Sequence, residues 1–371
     1  METIQMKKQL LAVAVASAFA STAFAANVTV YGVVDTGLVY NNTSFGGALT
    51  SAQKDTNKFS MDNGVLAGSR FGFKGTEDLG DGYSVDFKLE NGFDSDTGKL
   101  HTDKTLFDRE ARLSLNTPYG TASFGRMGAL TSGAGTYDIF MAGADALDGG
   151  NSSYIATGYW FDRSRYDNMI TLVTPEANGF TGYAQYSFAD KGAEDASVRN
   201  NQRYAALGLT FKNGPVEAVV VYDTILRKRA DEDKDGDAKA VSFGLNYDFG
   251  VTKAFFGAQY GKNESLSTES VTGEDQSYNV KGYNLHIGAA TPLPCGTLTV
   301  AAYYGDYEEV GNNNHTAKKY GIGVMHEYAL SKRTTFYTGA GFAQFDIKDD
   351  ETDTAGRQKG VNVTFGLNHK F

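Results

Sequence analysis

The residues in this chain that are able to do chemistry are charged groups, and their spacing is that of an electric field rather than of a catalyst. Asp138, Asp145, Asp148 and Asp162 fall between Met127 and Asp162, a stretch without a single Lys or Arg. Arg70 alternates with Phe71 and Phe73, and Arg112 with Leu113 and Leu115. In an extended chain each guanidinium therefore points away from its apolar neighbours. Arg163 and Arg165 open the segment "RSRYDN" in phase with Asp167. Arg109 has the phase of Leu113 and is assigned to a rim; the direction of Arg126 is left open. Opposed acids and bases across a water-filled passage orient polar solutes, and their sum decides ion preference. A plain solvated acidic loop is the alternative for residues 127–162. The length of that stretch, 36 residues, favours a function, since structureless loops beyond about 12–15 residues are uncommon.

Other chemistry is poorly supplied. His101, His286, His315, His326 and His369 have no metal-ligand spacing. "DEDKDGD" from Asp231 begins like a calcium loop, but its twelfth position is Ser242, where such a loop needs Glu. An acidic outer loop that holds divalent cations loosely is the plainer reading. The Gly-rich stretches lack a phosphate-loop pattern. No cofactor, no resident metal and no enzymatic activity are expected.

The elements that must position these charges are strands. In "VNVTFGLNHKF", Val361, Val363, Phe365, Leu367 and Phe371 share one face, and Asn362, Thr364, Gly366, Asn368 and Lys370 the other. The same two-residue period runs through "VTVYGVVDTGLVY", "YSVDFKLE", "DREARLSLN", "VSFGLNYDF", "LTVAAYYGD" and "YGIGVMHEY". Tight connections ("NTPYGT", "KNGP", "DFGVT", "LSKRT") alternate with long polar ones at residues 41–67, 127–162, 226–239, 261–280, 307–319 and 346–358. Short turns at one end and long loops at the other mark a transmembrane barrel. About 16 segments can be placed, an even count that suits an up-and-down closed sheet. Apolar faces then meet lipid and polar faces meet water. Every backbone group inside a bilayer must be paired, so the last strand must zip to the first. Tyr31, Tyr40, Tyr247 and Phe371 are read as interfacial aromatics.

Composition agrees with an exported barrel. There are 44 Gly, 46 Phe or Tyr and 5 Pro in 371 residues, and no apolar run reaches the length of a spanning helix. From Met6, which reads as an alternative start, Lys7 and Lys8 precede an apolar run from Leu10 to Phe19 and the small-residue site Ala23-Phe24-Ala25. That order is a secretory signal, so residues 1–25 are assigned to it and residues 26–371 to the barrel. Removing Glu2, Lys7 and Lys8, together +1, takes the net charge from −10 to −11. That balance argues against nucleic acid as a partner. The lone Cys295 allows no internal disulfide.

"SRFGFKGTEDLGDGYSVDFKLE", "LFDREARLSLNTPYGTASFGR" and "GLNHKF" resemble the trimeric general-diffusion porins of Gram-negative bacteria, in particular those of Neisseria and Burkholderia. The resemblance covers essentially the whole mature chain. It implies a 16-stranded outer-membrane barrel, a homotrimer, and passive diffusion of small hydrophilic solutes and ions. It also implies that the third long loop folds into the lumen, so that Asp138, Asp145 and Asp148 face Arg70, Arg112, Arg163 and Arg165. In the family the final Phe, here Phe371, is part of the signal read by the barrel-assembly machinery; lipid and lipopolysaccharide surround the barrel. This chain lacks a Pro-Glu-Phe stretch in the loop and has "GTYDIFMAGADALDGG" there. Four loop aspartates nearly cancel four arginines, so acidic outer loops should leave a weak cation preference that fades with salt. The competing readings are a narrow barrel filled by side chains, acting as an enzyme or adhesin, and a substrate-specific channel.

Overall fold

The computed structural model describes residues 28–47, 54–147, 160–161, 163–192, 194–195, 197, 200–228, 236–267, 272, 277–351 and 353–371. The expected signal segment, Asp148, Asp162 and most of "DEDKDGD" lie outside them. The described chain forms β1 (Thr29–Gly47), β2 (Thr56–Asn63), β3 (Arg70–Gly80), β4 (Tyr83–Gly92), β5 (Glu110–Thr117), β6 (Gly120–Gly128), a short helix α1 (Phe140–Ala144), β7 (Arg165–Val173), β8 (Phe180–Ser187) and β9 (Arg203–Asn213). It continues through β10 (Val216–Leu226), β11 (Ala238–Asp248), β12 (Lys253–Ser267), β13 (Ser277–Leu293), β14 (Gly296–Glu309), β15 (Asn312–Ala329), β16 (Thr334–Asp349) and β17 (Thr354–Lys370).

All strands join one antiparallel sheet in chain order, and β17 returns to β1. β2 and β3 share one edge of β1, over Thr36–Thr43 and Thr29–Val33 respectively, and together fill a single place in the wall. The barrel therefore has sixteen places and one extra strand segment. A closed sheet of this size leaves a channel rather than a side-chain core, which sets aside the narrow filled barrel.

Closure is complete at the chain end. Gly32 and Phe371 exchange both backbone hydrogen bonds at 3.1 Å. The Phe371 ring lies over Gly32, where any Cβ would collide with it. This is an aromatic covering the gap a strand glycine leaves.

Faces follow the alternation. Along β11, Val241, Phe243 and Leu245 are exposed on the outside, while Ser242, Gly244 and Asn246 are buried within. The pattern is that of a wall with lipid outside and polar groups inside. Tyr40 and Tyr247 face outward as expected. Tyr31 does not: its hydroxyl donates to Glu90 Oε2 at 2.8 Å on the lumen side.

Much of three expected long loops, 261–280, 307–319 and 346–358, proves to be strand. The β12–β13 ladder runs as far as Ser267 opposite Ser277, β14–β15 as far as Glu309 opposite Asn312, and β16–β17 as far as Asp349 opposite Thr354. Above the apolar band both faces meet water, so the alternation fades while the backbone pairing continues; periodicity alone ends the strand too early.

Candidate functional site

Residues 129–147, 160, 161, 163 and 164 enter the lumen between β6 and β7. Their two ends hold each other, Ala129 N–H donating to Ser164 O at 3.2 Å and Arg163 N–H to Thr131 O at 3.3 Å. Thr136 and Tyr137 stay on the wall of β4–β6: Thr136 Oγ1 donates to Glu110 Oε2 at 3.1 Å, and Arg112 sits over the Tyr137 ring at 5.7 Å. The loop then crosses to the far wall. Phe140, Met141, Ala144 and Trp160 pack with Val219 and Val221 of β10 and Tyr204 of β9. Phe140 and Trp160 meet edge to face at 5.0 Å.

Two lumen-facing glycines make this approach possible. A Cβ on Gly244 would stand 2.5 Å from Ala144 Cβ, and one on Gly257 would stand 2.7 Å from the Trp160 ring. Glycine in a strand interior weakens the sheet, and here it marks a close approach. Asn246 adds a hydrogen bond from Nδ2 to Gly143 O at 2.8 Å.

The loop aspartates divide. Asp145 is buried: Oδ1 accepts from Tyr303 Oη at 2.7 Å and Leu147 N–H at 2.9 Å, and Oδ2 from Trp160 Nε1 at 3.0 Å. It anchors the loop against β14 and does not face the passage. Asp138 borders the open passage, and its Oδ1 accepts from Met141 N–H at 3.3 Å. Nothing is described of Asp148.

The arginines divide too. Arg163 is buried with Asp223 of β10 and Glu264 of β12, at 2.6 Å to the first and by a two-pronged contact of 2.7 and 2.8 Å to the second. Burial alone would push its guanidinium pKa down. The Glu264 hydrogen bonds and the charges of Asp223 and Glu264 outweigh that and hold it well above the ordinary range. Arg163 is thus a loop anchor on the wall opposite Arg70. Arg165 opens β7 near Arg109, Arg126 and Asp108. The in-phase count that linked it to the lumen is broken at Asn168, which has φ +50° and lies where the β6–β7 register shifts. An irregularity of this kind breaks the phase, so the alternation no longer fixes the face of Arg165. Arg126 pairs with Asp167 at 2.6 Å.

Arg70 and Arg112 do belong to one network on β3–β5. Arg112 bonds Glu110 and Asp86, both at 2.7 Å, and Lys88 bonds Glu110 at 2.7 Å. Lys88 lies 3.4 Å from Glu90, and Arg70 3.9 Å from it. Arg109, assigned to a rim by its phase, reaches Glu90 at 2.8 Å. It precedes β5, so the strand's alternation does not govern it. Lys88 has the inward phase and could have been counted from the sequence; Arg109 could not.

These residues bound a cavity of about 310 Å³ beside the loop. Arg70, Lys88, Glu90 and Arg109 form its wall side, Asp138 its loop side, and residues 66–68 a third side. The bases lie nearer the water than their acids: side chains of Arg70 and Lys88 are 26% and 17% exposed, those of Glu90 and Glu110 5% and 1%.

A family model described as Gram-negative porin matches residues 12–349. An outer membrane porin protein of Bordetella pertussis is 32% identical over 99% of this chain and all of its own length. The major outer membrane protein P.IB of Neisseria meningitidis is 26% identical, again over 99% and 100%. Among solved structures, an anion-selective porin from Comamonas acidovorans aligns with a TM-score of 0.63 at 24% identity, over 94% of this chain and all of that one.

Proposed function

The chain belongs to the Gram-negative porin family, and from that premise we propose that its passage narrows between residues 133–142 of the lumen loop and the basic wall of β3–β5, with a preference for anions there. The protein is an outer-membrane channel for passive diffusion, and not an enzyme. The finer reading rests on one observation: Arg70, Lys88 and Arg109 border the open cavity with more exposed side chains than Glu90, which borders it too, while Glu110 lies behind them. Of the loop acids, Asp138 is at the opening and Asp145 is consumed as an anchor. A passing ion therefore meets three bases against two acids, Glu90 and Asp138.

This reverses the expectation from summed charge. That count placed Asp145 and Arg163 in the water and left out Lys88 and Arg109. Acidic mouths still act, but over a longer range than the narrow part, and salt removes the longer range first.

The same reading includes an export signal over residues 1–25, supported by its order of charged, apolar and small residues. It also includes a homotrimer in a lipid and lipopolysaccharide surround, and recognition of the strand ending in Phe371 by the assembly machinery. Reversal potentials in planar bilayers under a salt gradient test the channel and its ion preference together. Selectivity for chloride over potassium is expected at 1 M salt, and a clear cation preference at that salt would refute the basic constriction.

A further inference from the structure

Residues 64–69, "GVLAGS", interrupt the wall and play no part in the reading above. β2 ends with Asn63 opposite Thr36, and β3 begins with Arg70 opposite Val33. Seven residue steps on one side answer three on the other, so four residues are left over. The surplus turns inward. Val65 is buried with Val39, Tyr303, Met325, Tyr337 and Leu147, the last from the lumen loop, and Leu66 packs on the same cluster.

Backbone N–H groups that leave a ladder need other acceptors. Asp35 supplies them. Its fully buried carboxylate accepts from Leu66 N–H at 3.4 Å and Ala67 N–H at 3.2 Å. Tyr337 Oη of β16 and Asn368 Nδ2 of β17 donate to the same carboxylate at 2.9 and 2.8 Å. Ser69 closes the segment, its Oγ bonding both the N–H and the O of Asp35 at 3.0 Å. The segment also sets the basic wall: Gly68 O accepts from Arg70 Nη1 at 2.9 Å, and a Cβ on Gly68 would stand 2.9 Å from Arg109 Nη1. Residues 66–68 border the same cavity as Asp138.

We propose that residues 64–69 are a second constriction element, locked by Asp35, and that Ala67 and Gly68 set the size of solute admitted past the lumen loop. The inference rests on the channel reading. Held by three strands and an apolar cluster, the element is a fixed sill and not a moving gate. Ala67 and Gly68 add little bulk to the side of the cavity that they border.

The test is Ala67→Cys on a Cys295→Ser background, recorded as single channels in a planar bilayer with an anionic methanethiosulfonate reagent. The new thiolate attacks the reagent's sulfenyl sulfur, a disulfide forms and methanesulfinate leaves. Stepwise loss of conductance is expected, while Tyr119→Cys at the exposed β5–β6 turn should label without loss. A conducting channel whose current is unchanged after labelling confirmed by mass, or a thiol the reagent does not reach, overturns the sill. Absence of any current from the unaltered protein would instead remove the channel reading. In parallel, Asp35→Ala should let proteoliposomes swell with larger sugars; an unaltered size limit in the folded variant counts against the lock.

Discussion

Replacing Arg70 and Arg109 together by Gln should turn the constriction from anion- to cation-preferring. Three bases and two acids border the cavity, so the double variant leaves Lys88 alone against Glu90 and Asp138. Glu90 keeps Tyr31 at 2.8 Å and Lys88 at 3.4 Å, so no acid is stranded and folding should survive. An ion passing about 6 Å from a unit charge in a water-like medium gains about 0.7 kcal/mol, and a Debye length of about 10 Å at 0.1 M salt leaves roughly half of that. Two lost charges then amount to about 0.8 kcal/mol for each ion, unfavourable for the anion and favourable for the cation, which is roughly a tenfold change in their permeability ratio. The assay is the reversal potential under a potassium chloride gradient around 0.1 M, with each single variant giving about half the shift. Dilution should move the unaltered channel toward cations too, because acidic mouths act at longer range when the Debye length grows to about 30 Å at 0.01 M. An unchanged reversal potential in the double variant would show that ions do not pass within reach of these two groups.

Three further outcomes follow from the anchors. Arg163→Met strands Asp223 and Glu264 in a buried site and should lower folded stability by about 3–5 kcal/mol, read as loss of the heat-modifiable form at lower temperature; adding Asp223→Asn and Glu264→Gln should restore most of it. Gly244→Ala drives a methyl into Ala144, which stands 2.5 Å away, and should cost about 1–3 kcal/mol and alter single-channel conductance through the displaced loop. Deleting Phe371 removes the last backbone exchange with Gly32 and the ring that covers it, so the folded barrel in outer-membrane fractions should fall; normal amounts would refute a role for this residue in assembly.

What could be read before the structure was the wall, and what could not was the path of chain through its interior. Alternation states which of two faces a side chain takes, and for Val241, Leu245, Asn362 and Phe365 that suffices, because an unbroken ladder carries the phase from one residue to the next. The phase is lost wherever the ladder is interrupted. Arg109 stands just before β5, Arg165 before the bulge at Asn168, and residues 64–69 outside both β2 and β3. A charge count has a second blind spot, since it treats Asp145 and Asp138 alike. The difference between them is one of place: Tyr303 and Trp160 hold one in a buried site, and the other borders a cavity. The proposed ion preference depends on that difference. A carboxylate held by a tyrosine and an indole fixes where the loop lies, and only a carboxylate left at the opening acts on a passing ion. The same division separates Arg163 from Arg70, which is why bases outnumber acids around the cavity although the loop beside it contains aspartates and no arginine before Arg163.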